Sequence, residues 1–83
     1  ASQHSYILEL KVLSKKDFSA IVEGEFTEDG KPMTKAEKQW REALDQIHRY
    51  AEASRVEALR QGTKLHLIIM QFEGWELKRM EEV

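Results

Sequence analysis

The first apolar segment of the chain contains two charged residues that point to the same side. Residues 6–13 read Tyr-Ile-Leu-Glu-Leu-Lys-Val-Leu, which predicts a β-strand over residues 5–13. Side chains two positions apart in a strand share a face, so Glu9 and Lys11 lie between Ile7 and Leu13. The opposite face carries Tyr6, Leu8, Leu10 and Val12. Burying a charge costs several kcal/mol unless it is paired or bound to an ion, which makes this charged pair a candidate site.

The segment 18–33 has no regular period. Its apolar residues Phe18, Ile21, Val22 and Phe26 fit either a short helical turn or one arm of a small hairpin. Asp29-Gly30 is a strong turn signal, and Pro32 is expected to end any regular pairing. We therefore expect an exposed, mobile excursion over residues 18–33.

A long helix is predicted over residues 35–61. Thr34 followed by Glu37 is typical of a capping box, and Gly62 suits the position just after the last turn. Apolar residues recur at spacings of three and four, which indicates a helix that buries one face. These residues are Ala36, Trp40, Ala43, Leu44, Ile47, Tyr50, Ala51, Val56 and Leu59.

Two strands follow the helix. Residues 65–72 are apolar on both faces, which is typical of a covered central strand. Residues 75–80 alternate and predict an edge strand, paired through a turn at Glu73-Gly74, and residues 80–83 are expected to fray. The predicted fold class is α/β, with a small three-stranded mixed sheet and one long crossover helix. One helix covers one sheet face, so we expect the other face to be covered by missing chain, a second copy or a partner.

The composition is that of a small globular unit. With 83 residues, the chain is one small domain or part of one, and its core is marginal. It has no cysteine, which excludes disulfides and thiolate metal sites, and no apolar run that could span a membrane. The net charge of -2 argues against strong non-specific nucleic-acid binding by this chain alone. Because it lacks an initial Met and a signal peptide, we expect a processed start or an excised piece.

Other kinds of site have little support in the sequence. His4, His48 and His66 show no ligand spacing with one another, so the spacing does not favour a histidine metal site. No Gly-rich phosphate loop is present. Trp40 and Trp75 are expected to be packing anchors rather than platforms on which bases stack.

Three segments, in this order, resemble one group of nucleases. They are Glu9-Leu10-Lys11, residues 43–51 reading Ala-Leu-Asp-Gln-Ile-His-Arg-Tyr-Ala, and residues 72–77 reading Phe-Glu-Gly-Trp-Glu-Leu. Together they are similar to the PD-(D/E)XK nuclease superfamily. More narrowly, they resemble the carboxy-terminal nuclease-like domain of bacterial proteins that have an AAA-ATPase-like amino-terminal domain. The resemblance covers most of residues 1–83 apart from 18–33, and it implies a partial restriction-endonuclease-like core in a cytoplasmic protein.

The resemblance also implies a role for each residue of the motifs. Glu9 would ligate a divalent ion, expected to be Mg²⁺, and the Leu10 carbonyl would add a second oxygen ligand. Lys11 would orient the attacking water or offset charge in the transition state. Gln46 and Tyr50, four residues apart on one helix face, would flank the site and position water or phosphate.

One departure from the superfamily pattern changes the expected activity. The metal-binding Asp of the superfamily lies on the strand before the Glu-x-Lys strand, whereas residues 1–4 contain no acid. The resemblance therefore implies a nuclease fragment that is inactive alone, becomes an enzyme when an upstream segment completes it, and meets nucleic acid in the intact parent. The alternative is a non-catalytic interaction or oligomerisation module that associates through the open sheet face.

Simpler interpretations of the four candidate residues also stay open. Glu9 and Lys11 would then form a weak ion pair on a solvated edge. Gln46 would be a surface amide, and Tyr50 would place its ring in the core and its hydroxyl in water.

Overall fold

The computed structural model describes residues 3–83, which form five strands and two helices. In chain order the elements are β1 His4–Leu13, α1 Lys15–Phe18, β2 Ile21–Phe26, β3 Pro32–Thr34, α2 Lys35–Gln61, β4 Lys64–Glu73 and β5 Glu76–Glu82. One sheet has the strand order β1-β4-β5, and a second, two-stranded sheet pairs β2 with β3. The predicted α/β fold, with a three-stranded mixed sheet and one long helix, is confirmed.

The register of the main sheet fixes which side chains are neighbours. β1 runs parallel to β4 without a break, from His4 opposite Lys64 to Leu13 opposite Glu73. β5 returns antiparallel to β4, with a register shift between Gln71 and Phe72. α2 connects the two parallel strands, as a parallel pair requires a crossover.

Helix α2 begins and ends where its sequence signals indicate. The Thr34 side chain accepts a hydrogen bond from the Glu37 backbone N–H at 3.1 Å, and Gly62 closes the last turn with a φ of 71°. The left-handed region suits glycine because it has no Cβ. The apolar face differs in its last turns: Val56 and Leu59 are exposed, and Ala58 is buried instead.

The core lies between one face of α2 and one face of the main sheet. Its buried members are Trp40, Ala43, Ile47, Ala51, Leu67 and Ile69, with Ile7, Leu44, Leu65 and Val83 packed around them. Small alanines on α2 allow the helix to approach the sheet closely. Ile47 and Ile69 are the largest side chains that are fully buried, so they anchor this contact.

Residues 18–33 contain regular structure, for which the sequence left two forms open. Both alternatives for this segment occur: a short helical turn at α1, capped by Ser14, and the β2-β3 hairpin. Pro32 does not end the pairing but begins β3 opposite Phe26, a position at the strand start that needs no N–H donor. The hairpin is mostly exposed, but its Met33 side chain is 5% exposed.

The turn of this hairpin is held by its own polar groups. The Thr27 backbone N–H donates to the Lys31 carbonyl at 2.8 Å, and the Thr27 hydroxyl donates to the Asp29 carboxylate. That hydroxyl hydrogen bond holds the pKa of Asp29 below its ordinary value. The turn therefore favours the ionised carboxylate at neutral pH.

The carboxy-terminal residues are paired, although the sequence predicts that residues 80–83 fray. Met80 lies opposite Met70, and Glu82 lies opposite Ile68. The Val83 backbone N–H donates to the Leu67 carbonyl at 2.8 Å, and its side chain packs against the core. The last residues therefore extend the edge strand. Among residues 3–83, no helix is both long and apolar enough to cross a membrane.

The second face of the main sheet remains uncovered in this chain. We call it the open face; it consists of Tyr6, Leu8, Leu10, Val12, Ile68, Met70, Phe72, Leu77 and Met80. Helix α2 thus covers one side of β4, as expected for a single helix, and the cover of the other side by missing chain, a second copy or a partner stays a prediction. Trp75 lies in the β4–β5 turn and is 101% exposed, so its predicted role as a packing anchor is wrong, whereas Trp40 is buried.

Replacing Ile47 by Ala tests where the core lies. This side chain is 0% exposed, and we expect the free energy of unfolding to fall by about 2–5 kcal/mol because a cavity remains. Leu59→Ala on the same helix is the control: Leu59 is 82% exposed, and we expect a change within about 0.5 kcal/mol. Urea titrations measure both variants, and equal losses would contradict the assigned packing.

Candidate active site

The alternation of β1 places two charges on the face that α2 covers. Exposed and half-buried residues alternate along the whole strand, and Glu9 and Lys11 are half-buried. Their side chains are 15% and 27% exposed, respectively. The two charges therefore form a local ion pair in the partly sheltered groove between β1 and the flank of the helix, and the choice between a functional and a purely structural ion pair stays open.

A continuous polar chain joins β1 to α2 in this groove. The Lys11 Nζ lies 3.2 Å from Glu9 Oε1 and donates a hydrogen bond to Gln46 Oε1 at 3.1 Å. Gln46 Nε2 in turn donates to the Tyr50 hydroxyl at 2.9 Å. The amide of Gln46 is thereby oriented at both ends. The structure thus brings together all four side chains predicted from the sequence.

Tyr50 can join this series of hydrogen bonds because it is not a core residue. Its side chain is 54% exposed, although the apolar pattern of α2 predicts it on the buried face. Gln46 and Tyr50 are four residues apart, so they lie one above the other on the helix flank that faces β1. A Tyr50 ring buried in the core is therefore wrong, whereas Gln46 is half-buried and its role stays a prediction.

A second pair of amides fixes α2 next to Lys11. Gln71 is opposite Lys11 in the β1–β4 register and is 3% exposed. Its Nε2 donates to the Ala36 carbonyl at 2.8 Å and to Gln39 Oε1 at 3.0 Å. The amide of Gln39 then donates to the Val12 carbonyl at 3.3 Å. α2 is therefore tied to β1 at Lys11 and at Val12, and to β4 at Gln71.

The backbone of Leu10 is exposed at the outer edge of the sheet. The Gln3 and Leu13 carbonyls both accept hydrogen bonds from the β4 side, at 3.0 Å from Lys64 and 2.7 Å from Gly74. Backbone groups of alternate strand residues point to opposite edges, and the register of β1 is unbroken. The Leu10 carbonyl therefore points to the free edge of β1, while its side chain lies on the open face.

The oxygen atoms at this edge suit a hard cation but supply few ligands. A carboxylate and a carbonyl are ligands that Mg²⁺ prefers, and Mg²⁺ commonly keeps several waters. Within the part of the chain that the structure describes, no group of three or more His, Cys, Asp or Glu side chains is arranged to hold a metal ion. The Glu9 carboxylate and the Leu10 carbonyl are chemically suitable for the predicted Mg²⁺ ligands, but such a site would need further oxygen atoms.

A comparison with known protein families identifies the superfamily of this chain. A family model described as the PD-(D/E)XK nuclease superfamily matches residues 1–82. The chain belongs to the PD-(D/E)XK nuclease superfamily. No curated protein and no solved structure matches the chain significantly.

Because the protein belongs to the PD-(D/E)XK superfamily, we interpret the four connected side chains as part of a nuclease-like domain. The role of each residue stays a prediction. Sequence reasoning found these four residues and missed the amides of Gln39 and Gln71. The sequence does contain a signal for Gln71, because this polar residue lies inside an otherwise apolar central strand. A buried amide in such a strand requires partners, and the first turns of α2 supply them.

A double-mutant cycle tests the contact between Glu9 and Lys11. Lys11→Met removes the cation beside a sheltered carboxylate, so we expect the free energy of unfolding at pH 7 to fall by about 1–3 kcal/mol. Adding Glu9→Gln should restore part of that loss, with a coupling energy of about 0.5–3 kcal/mol. Urea titrations of the four proteins measure the coupling.

The exposed pair of Glu57 and Arg60 on α2 provides the control for this cycle. Their charged atoms are 3.6 Å apart, and both side chains are more than 50% exposed, so we expect a coupling energy below about 1 kcal/mol. A coupling between Glu9 and Lys11 no larger than that of the control would mean that the groove shelters neither charge.

Proposed function

We propose that this chain supplies the Glu-x-Lys half of a nuclease site that hydrolyses nucleic-acid phosphodiesters with a divalent ion. One observation supports the proposal above all others: the Glu9, Lys11, Gln46 and Tyr50 side chains form one connected polar chain. A superfamily match over residues 1–82 supports the same reaction class.

In this proposal Lys11 acts on the attacking water and on the phosphate. Its Nζ carries three N–H donors, of which Glu9 and Gln46 engage two. The third donor is directed to the water that attacks phosphorus, or to a non-bridging oxygen whose negative charge grows in the transition state. The new P–O bond forms to the water oxygen, which loses one proton to solvent, while the bond to the leaving oxygen breaks and a solvent proton neutralises that oxygen.

The Glu9 carboxylate and the free-edge carbonyl of Leu10 would hold the divalent ion. When bound, a Mg²⁺ ion polarises the phosphate and lowers the pKa of a bound water. Lys11 contacts Glu9 Oε1, so Oε2 is the oxygen through which the carboxylate would bind the cation. Gln46 and Tyr50 would hold Lys11 in place and offer the Tyr50 hydroxyl to water or phosphate.

Cleavage in this proposal requires a second carboxylate from another segment or another chain. One side-chain oxygen ligand and one carbonyl hold Mg²⁺ weakly, because dedicated sites use more carboxylate charge. The helix sequence of residues 43–51 further supports a carboxy-terminal nuclease-like domain of a bacterial protein with an AAA-ATPase-like partner domain. Residues 1–83 alone are then expected to bind metal weakly and not to cut.

Calorimetric titration with Mn²⁺ or Mg²⁺ tests the metal role of Glu9. We expect weak binding by the wild type that is lost in Glu9→Ala and retained or strengthened in Lys11→Ala, since removing a nearby cation favours a second one. Glu23→Ala, an exposed carboxylate on β2, is the matched control and should bind as the wild type does. Binding that is absent, or equal in all variants, removes the metal-site assignment.

Cleavage of DNA and RNA by the protein as it occurs in the cell tests the role of Lys11. Lys11→Ala should leave the fold and the metal affinity near normal and reduce cleavage by at least about 100-fold, as general acid–base and electrostatic groups typically contribute. Retained cleavage would refute the role given to Lys11.

The open face supports a second candidate function, self-association of this chain. Single proteins rarely expose so large a continuous apolar surface. The accessible surface is 6059 Å², whereas a folded chain of 9.7 kDa is expected to have about 5,100 Å². The excess is close to the roughly 800 Å² that each partner buries in a standard interface. Part of the excess follows from the elongated outline of 46 × 27 × 17 Å.

The occupant that we propose for the open face is a second copy of the chain. The β1 side chains that point to this face from Tyr6 to Val12 carry no charge, because Glu9 and Lys11 point to the other face, so two copies can meet there without repulsion. Sheet-on-sheet packing about 10 Å apart is a common solution for such faces. A hollow of about 510 Å³, lined by Leu10, Val12, Phe72, Gly74 and Trp75, would accept an apolar side chain of the second copy.

Sedimentation equilibrium separates the two candidates. If the open face drives association, the wild type forms dimers at high micromolar concentration, and Leu10→Lys returns it to monomers. Leu59→Lys is the matched control, because Leu59 is exposed on α2 away from that face. A monomeric wild type, or dimers that survive Leu10→Lys and not Leu59→Lys, would contradict self-association through this face.

A further inference from the structure

A second polar cluster lies at the end of the open face, on the side of the sheet opposite to the nuclease groove. His4 Nδ1 and His66 Nε2 are 2.7 Å apart, and His66 Nδ1 is 3.0 Å from Glu82 Oε1. One residue from each strand of the main sheet contributes, so the cluster spans β1, β4 and β5. The proposed nuclease chemistry uses none of these three side chains.

The parallel register explains why these residues meet although they are 62 positions apart. Tyr6 lies opposite His66, and His4 precedes Tyr6 by two residues on the same face. The Tyr6 ring stacks on the His66 ring, with centroids 4.9 Å apart and an interplanar angle of 19°. The His66 side chain is 13% exposed, so its ring is held in one orientation.

The hydrogen bonds of His66 define its tautomer. An ionised carboxylate only accepts hydrogen bonds, so the proton between His66 and Glu82 belongs to His66 Nδ1. A neutral His66 then has its lone pair on Nε2, and that lone pair points at His4. Carboxylate–histidine pairs of this kind orient the imidazoles that bind metal ions in proteins.

We propose that His4 Nδ1 and His66 Nε2 form a two-imidazole site for a borderline divalent transition-metal ion, such as Zn²⁺ or Ni²⁺, with Glu82 orienting His66. Two nitrogens bound at about 2.0 Å in tetrahedral geometry lie about 3.3 Å apart. His4 is exposed at the start of β1, so its ring can move outward by the difference. No net proton is released, because His4 need only transfer its proton from Nδ1 to Nε2 through solvent.

The site differs in its chemistry from the proposed nuclease centre. Imidazole nitrogens select Zn²⁺, Ni²⁺ and Cu²⁺, whereas carboxylate and carbonyl oxygens select Mg²⁺ and Mn²⁺. Two imidazoles are the protein's contribution, and water completes the coordination. Within residues 3–83, no third His, Cys, Asp or Glu side chain is arranged with the two imidazoles as a further ligand.

Calorimetric titrations with Zn²⁺ and with Ni²⁺ test this site. His4→Gln and His66→Gln should each weaken binding by at least about tenfold, and Glu82→Gln should weaken it less, as loss of an orienting partner does. His48→Gln, an exposed histidine on α2, is the matched control and should leave the affinity unchanged. Equal affinities in all variants, or an equal loss in His48→Gln, would overturn the proposal.

If a histidine variant does not fold, ¹⁵N NMR of the wild-type protein provides a second test of the proposed site. Zn²⁺ should shift the ¹⁵N resonances of His66 Nε2 and His4 Nδ1 and leave those of His48 in place. A titration in which His66 Nε2 does not move, or in which all three histidines move together, would also overturn the site. Neither result concerns binding of Mn²⁺ at Glu9, so either proposed site can be disproved without disproving the other.

Discussion

The ammonium of Lys11, held between the Glu9 carboxylate and the Gln46 amide, is the interaction on which the site depends. It stands on the covered face of β1, where an unpaired charge would cost several kcal/mol. Its two contacts, at 3.2 Å and 3.1 Å, satisfy that charge from the strand and from the helix at once. The same contacts fix the height of α2 over the strand and orient Gln46 toward Tyr50.

β1 can serve the site because its faces and edges have different environments. One face carries the charges under α2, the other carries apolar side chains on the open face, and one edge is paired with β4. The remaining edge is free and presents the carbonyl of Leu10, the residue after Glu9. An additional ligand or strand can therefore approach β1 from that edge, whereas a second copy of the chain in the proposed dimer would cover the open face.

The sequence predicted the elements that follow from a local period and missed those that depend on packing between distant segments. The alternation of β1 placed Glu9 and Lys11 correctly, because a one-residue shift would bury the wrong side chains. A helical period could not show that Tyr50 lies at the flank of α2, since core and flank differ by a fraction of a turn. Trp75 was misplaced because an aromatic residue in a turn has no face to pack on. The contact between His4 and His66 depends on a register that no local pattern encodes.

The most direct test of the central claim is paramagnetic broadening by Mn²⁺ in the amide NMR spectrum of residues 1–83. If Glu9 and the Leu10 carbonyl bind the ion beside Lys11, small additions of Mn²⁺ broaden the backbone signals of residues 8–12 and the side-chain amide of Gln46 first. Signals of the carboxy-terminal turn of α2, which lies at the start of β1 near Ser5, broaden only later. Broadening that begins at another acidic cluster, or that spreads evenly over the surface, would contradict a metal site in this groove.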